Sequence, residues 1–239
     1  MADVSLPTSG SDSADDDQDL APPGSTTAAG VLGLLALRPW STYDLTAQAR
    51  RSLRFVLPRA ESVLYAEPKR LVARGLAQVQ EERTGRRRRR VYDITARGRA
   101  ALRAWLRTEP ADPSFDVEPL LRVLFADCGD LDDLRRALRS LDDWAAERLQ
   151  EGGEICRGYL EGDAPFPDRL HLNALVADFY VDLYAAIRAW VVRAEAEVAT
   201  WPSTDGVGLT PGARAMVERV VALTPEPPGP VLRDPSPSD

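Results

Sequence analysis

The chain has 239 residues, 44% of them hydrophobic and 28% charged, and a formal net charge of −7. That length holds one to two domains with ordinary cores, and two cysteines (Cys128, Cys156) with a single histidine (His171) exclude a disulfide framework and a Cys/His zinc cluster. The longest apolar stretch, residues 31–37, is too short to cross a bilayer, and the first twenty residues are acidic rather than basic and then apolar, so the expectation is a cytoplasmic chain with no membrane partner.

The charge is unevenly placed. Residues 27–107 carry 18 Lys/Arg against 6 Asp/Glu, and the remainder carries 12 against 31. A basic segment of that strength attracts polyanions whatever the sign of the whole molecule. The other reading of the same numbers is a basic face that complements the acidic half of its own chain.

Residues 1–26 hold Asp3, Asp12, Asp15, Asp16, Asp17 and Asp19 and no basic residue, too little apolar surface to order themselves, so they are expected to be a disordered acidic tail. After a cap at Thr26 or Thr27, Val31, Leu32, Leu34 and Leu35 mark a first helix, stopped by Pro39. Ser41 or Thr42 can cap a second helix with Tyr43, Leu45 and Ala49 inward. Residues 59–74 read as a third, ended by Gly75, with Leu64, Leu71 and Val72 inside and Arg59, Ser62, Tyr65, Lys69 and Arg70 toward solvent. Pro68 lies inside that helix, where its missing N–H predicts a bend between Leu64 and Pro68.

Beyond Gly75 the period falls to two, a Thr-Gly pair can turn the chain, and five consecutive arginines begin the returning strand. Alternation sends Arg86, Arg88 and Arg90 one way and Arg87 and Arg89 the other, and one set can pair with Glu81 and Glu82 across the hairpin. Thr95 then caps a fourth helix with Ala101, Leu102, Trp105 and Leu106 as its stripe. Two long amphipathic helices follow, over residues 131–155 and 167–200, then a short one over 214–223 and a Pro-rich, disordered tail over 225–239.

Three helices, a basic-tipped hairpin and a further helix are the order of a winged helix-turn-helix domain. The expected fold is therefore mainly α: a winged helix-turn-helix of three helices and a two-stranded wing over 27–107, a long-helix dimerisation domain over 115–201, and a linker with a short helix over 202–224. In that frame the third helix enters the major groove with Arg59, Ser62, Tyr65 and Lys69, while Arg86, Arg87, Arg88, Arg89 and Arg90 hold the flanking backbone or minor groove. Operators are usually read by two-fold proteins, and Phe179, Tyr180, Leu183, Tyr184, Ile187 and Trp190 offer more aromatic and apolar surface than one helix pair hides, so they are expected to join two copies.

The segments AGVLGLLALRPWSTYDL, SVLYAEPKRLVARGL and TGRRRRRVYDITARGRAALRAWL resemble the PadR-type transcriptional regulators. The likeness covers about 80 residues and continues less sharply past Glu118 into the subgroup with a virulence-activator-like helical C-terminal domain. It implies a homodimeric repressor that binds double-stranded DNA at an inverted repeat, with Ser62 and Tyr65 on the DNA-facing helix and a small-molecule effector that alters the C-terminal helices. The chain departs from the pattern at Pro68, which in family members often directly follows the Tyr. No catalytic constellation, cofactor loop or metal cluster is legible, so the chain reads as no enzyme. The alternative is a winged module that binds proteins, with the acidic helices as a scaffold.

Overall fold

The computed structural model describes residues 22–57, 61–84 and 87–224; the side chains of Glu61, Ser62, Thr84 and Arg87 lie outside the description. Both expected tails fall almost wholly beyond these limits. The chain divides into two units, Met1–Pro113 and Ser114–Asp239.

In the first unit, α1 (Thr26–Leu37) is capped by Ser25, whose hydroxyl accepts from the Ala28 N–H at 3.1 Å, so the cap lies one residue before the threonines the sequence offers. α1 is buried on almost every side through Ala28, Ala29, Val31, Leu32, Leu34 and Leu35. It touches α2 (Thr42–Ser52), α3 (Glu61–Ala73), α4 (Ala96–Arg107) and the sheet, which makes it the centre of the core. Packing begins upstream of α1: Pro23 is wholly buried, and the Arg74 guanidinium donates to the carbonyls of Pro22 and Pro23.

The hairpin of β2 (Ala77–Thr84) and β3 (Arg87–Ile94) is joined by a third strand, β1 (Trp40–Ser41), giving the order β1-β3-β2. Trp40 pairs with Tyr92 and Ser41 with Val91, and the Trp40 indole N–H donates to the Leu34 carbonyl at 2.8 Å. The two-stranded wing expected from the sequence is thus tied to the α1–α2 turn. Ser41 then caps α2 through the Asp44 N–H at 3.1 Å. Tyr43 does not face inward as the spacing suggested; it is 75% exposed, and Thr46 takes the inner position beside Leu45 and Ala49. Leu106 of α4 is likewise 70% exposed, because Gly98, Ala100 and Ala101 make the close face of that helix.

The second unit holds α5 (Glu118–Leu124), α6 (Leu131–Leu160), α7 (Leu170–Val198) and α8 (Pro211–Leu223). Asp130 and Asp133 form a reciprocal capping box that starts α6. α6 runs through Gly152 and Gly153 to Leu160, five residues past the end read from its periodicity. Asp142 meets Arg188 and Trp144 meets Tyr184, so α6 and α7 are antiparallel. Leu134, Leu138 and Leu141 close on Val191, Ala194 and Val198. The Glu197 carboxylate gathers the end of α7: it accepts from the Trp201 indole at 2.8 Å and from the hydroxyl of Thr210, the residue that caps α8.

Candidate nucleic-acid interface

α3 ends in a Schellman motif: the Gly75 N–H donates to the Val72 carbonyl and the Leu76 N–H to the Leu71 carbonyl, both at 2.9 Å, with Gly75 at φ +70°. Leu71 and Leu76 are both buried, so the turn is pinned from inside and the direction of α3 relative to β2 is set. α3 runs unbroken from Glu61 to Ala73 through Pro68. Its inner face is Leu64, Glu67, Pro68 and Leu71, not Leu64, Leu71 and Val72; Val72 is only half-buried. The Glu67 side chain, 7% exposed, meets the outward Arg70 guanidinium at 3.3 Å, which supplies the partner a buried carboxylate requires.

The outer face presents Tyr65, 42% exposed, and Lys69, four residues on and also exposed. Ser62 belongs to the same helix, at a spacing that shares this face, with its side chain outside the described residues; Arg59 and Arg86 lie outside them altogether. Tyr43, at the start of the preceding helix, is a further exposed phenol that the sequence reading placed in the core.

The wing register sets Glu81 opposite Arg90, Glu82 opposite Arg89 and Arg83 opposite Arg88. Glu81 is shared by Arg90 at 3.7 Å and Arg88 at 3.8 Å, and Glu82 takes Arg89 at 3.5 Å. Each face of the ribbon therefore carries its own carboxylate, rather than one arginine set being paired and the other open. All these side chains are half-exposed or more, at long distances, so the ion pairs are weak. Arg83, which the sequence reading did not single out, adds a cation to the row. Its position follows from counting back across the turn.

The hairpin is held rigidly at its base. The Thr95 N–H bonds to the Leu76 carbonyl at 3.2 Å and the Thr95 hydroxyl to the Gly75 carbonyl at 2.8 Å. A Cβ on Gly98 would overlap the Leu76 carbonyl oxygen. α4 thus lies against the hairpin base at a separation that only glycine permits.

In the second unit the six aromatic and apolar residues expected to join two copies have different surroundings. Tyr184 is buried, with the Trp144 ring edge-on at 5.2 Å and the Tyr180 ring stacked at 5.7 Å; burial raises the pKa of the half-buried Tyr180 phenol. Ile187 and Trp190 pack on the intrachain core, Leu183 is half-buried, and Phe179 is 57% exposed. Further apolar side chains on α7 stand open, Leu172, Leu175 and Val176 among them, as do Leu121, Leu124 and Phe125 in and just after α5. Among the described residues no group of three or more His, Cys, Asp or Glu could hold a metal ion, and no helix is long and apolar enough to cross a membrane.

Residues 31–104 match the transcriptional regulator PadR-like family. No curated protein matches the chain. Among solved structures, smu.1604c from Streptococcus mutans UA159 is similar at a TM-score of 0.62 and 19% identity, over 72% of this chain and 98% of that one. Bacillus subtilis PadR, in complex with operator DNA, is similar at 0.62 and 19%, over 73% and 99%. The same protein has been solved with p-coumaric acid. The Vibrio cholerae virulence activator AphA is similar at 0.56 and 20%, over 73% and 98%. At these identities the structural likeness is one of fold.

Proposed function

We propose that this chain, whose residues 31–104 match the transcriptional regulator PadR-like family, acts as a homodimeric, sequence-specific repressor in the cytoplasm. In this reading α3 lies in the major groove with Ser62, Tyr65 and Lys69 toward base edges, and Arg59 approaches the backbone beside it. Arg86–Arg90, with Arg83, hold the flanking phosphates or a narrow minor groove. The observation that carries the reading is the set of exposed arginines on both faces of the ribbon, Arg83, Arg88 and Arg90 on one and Arg89 on the other, which leaves Arg83 and Arg88 opposed in a ribbon that two glutamates only partly neutralise. Phosphate supplies the missing negative charge in the bidentate form that guanidinium prefers.

The dimer reading is supported by the open apolar face of α7 around Leu175 and Phe179. In this reading Tyr184, buried against Trp144 within the chain, contributes less than Phe179, which meets Tyr180 edge-on at 5.3 Å and keeps 57% of its surface exposed for a second copy. The p-coumaric acid complex of the Bacillus subtilis relative supports a small-molecule effector as a further partner.

Selection of bound duplexes from a random or genomic pool at physiological salt tests the proposal. Enrichment of an inverted repeat is the expected result. Binding that needs low salt and enriches no sequence would overturn it in favour of a protein-binding winged module.

A further inference from the structure

We propose that the acidic segment 1–21 docks on the exposed arginines of its own wing and competes there with DNA phosphate. The competition with DNA rests on the function proposed above; the docking does not.

Three observations carry it. The first is where the segment is tethered. Pro22 and Pro23 are held by Arg74, one residue before the Gly75 turn that opens into β2, so the point to which the acidic segment is joined lies beside the base of the hairpin. β2 has eight residues, about 25 Å of strand. Twenty-one residues reach at most ~70 Å, so the whole ribbon is within range.

The second is charge. The segment has six aspartates and no Lys or Arg, and five of the six fall within residues 12–19. The wing offers Arg83, Arg88, Arg89 and Arg90 among its described side chains, against Glu81 and Glu82.

The third is that this surface already takes carboxylates. Glu81 and Glu82 meet Arg88, Arg89 and Arg90 at 3.5–3.8 Å, and the opposed Arg83 and Arg88 leave room for more negative charge. Each such exposed pair is weak, but a tether raises the local carboxylate concentration to the millimolar range, where several weak pairs suffice.

The consequence is a DNA affinity set partly by the chain itself. Phosphate that displaces aspartate from an arginine releases fewer small counterions than phosphate that meets a bare arginine, so the segment flattens the salt dependence of binding. Operator and random duplex meet the same competitor, but base contacts from α3 help only the operator to displace it.

The test compares the full chain with a full-length variant in which Asp3, Asp12, Asp15, Asp16, Asp17 and Asp19 are all replaced by Asn. Without DNA, the Nε–Hε NMR signals of Arg88, Arg89 and Arg90 are expected to differ between the two proteins at low salt and to converge at high salt. With random duplex at low salt, the variant is expected to bind about tenfold more tightly, with a salt slope steeper by roughly two. Superimposable arginine signals at low salt overturn the docking. Shifted signals with equal affinities and slopes overturn the competition. If neither protein binds any duplex, the DNA-binding reading fails and the competition with it, while the arginine signals still decide the docking.

Discussion

Arg83 on β2 and Arg88 on β3 stand directly opposite each other in the wing, two residues beyond the Glu81–Arg90 pair and on the same face of the ribbon. Like charges in that relation oppose strand pairing by a few tenths of a kcal/mol to about 1 kcal/mol. Arg83→Thr is therefore expected to raise the stability of the free protein by about 0.5 kcal/mol while weakening duplex binding. Urea unfolding and fluorescence anisotropy on the same variant check both signs; a variant that gains in both would remove the wing from the interface.

Replacing Arg88 and Arg89 together by alanine is expected to weaken binding to every sequence alike and to lower the salt slope by about 2. Tyr65→Ala or Ser62→Ala is expected to cost about 1–3 kcal/mol on the operator and to relax preference at particular base pairs. Equal losses on all duplexes from both groups of variants would remove this division between wing and helix.

How much of this was legible in the sequence depended on the range of the interaction. Local devices were: the Thr95 and Ser41 caps, the glycine that ends α3 and the alternation of the arginine run all depend on neighbours a few residues away. β1 was not legible, because two residues carry no period and their partners Tyr92 and Val91 lie fifty residues on. Tyr43 was misplaced, and Glu67 missed as an inner residue, for a related reason. In short helices one turn can rotate the inward face, and the sequence does not show that a buried glutamate has an outward arginine beside it. Within the candidate site the cations were readable and their carboxylate partners only partly so, since pairing on both faces requires the register.

Gly98→Ala is expected to destabilise the first unit by about 1–3 kcal/mol, because the added methyl group meets the Leu76 backbone oxygen rather than a movable side chain. A thermal melt of the variant checks this, and a melt within a degree of the parent would show that α4 can move away from the hairpin.

Phe179→Glu and Leu175→Glu place charge on the open face of α7 and are expected to give a monomer with unchanged helicity, read by sedimentation and circular dichroism. Tyr184→Ala should instead lower the melting temperature, since its ring is packed against Trp144 and Tyr180 within the chain. If the glutamate variants still sediment as dimers, the interface lies elsewhere.

Acid is expected to loosen the second unit. Hydrogen bonds from Thr210 and Trp201 hold the Glu197 carboxyl below its ordinary pKa, and Arg136 with the Asp130 N–H does the same for Asp133. Both groups thus favour the folded state at any pH above the usual carboxylate range, and that contribution fades as pH falls from that range through the lowered folded-state pKa of each. Glu197→Gln is expected to flatten the fall of melting temperature between about pH 6 and pH 3; a parallel curve would assign the acid response to other carboxylates.

The contact between α4 and the hairpin base also has a mechanical meaning. With Gly98 against the Leu76 carbonyl and Thr95 bonded to both Gly75 and Leu76, the wing has no hinge where one would be most useful. Any tilt of the ribbon must carry α4 with it as one stiff piece, and a force applied to α4 near Arg107 would reach the arginines, roughly 40 Å away along the helix and strand, with little lost to local bending.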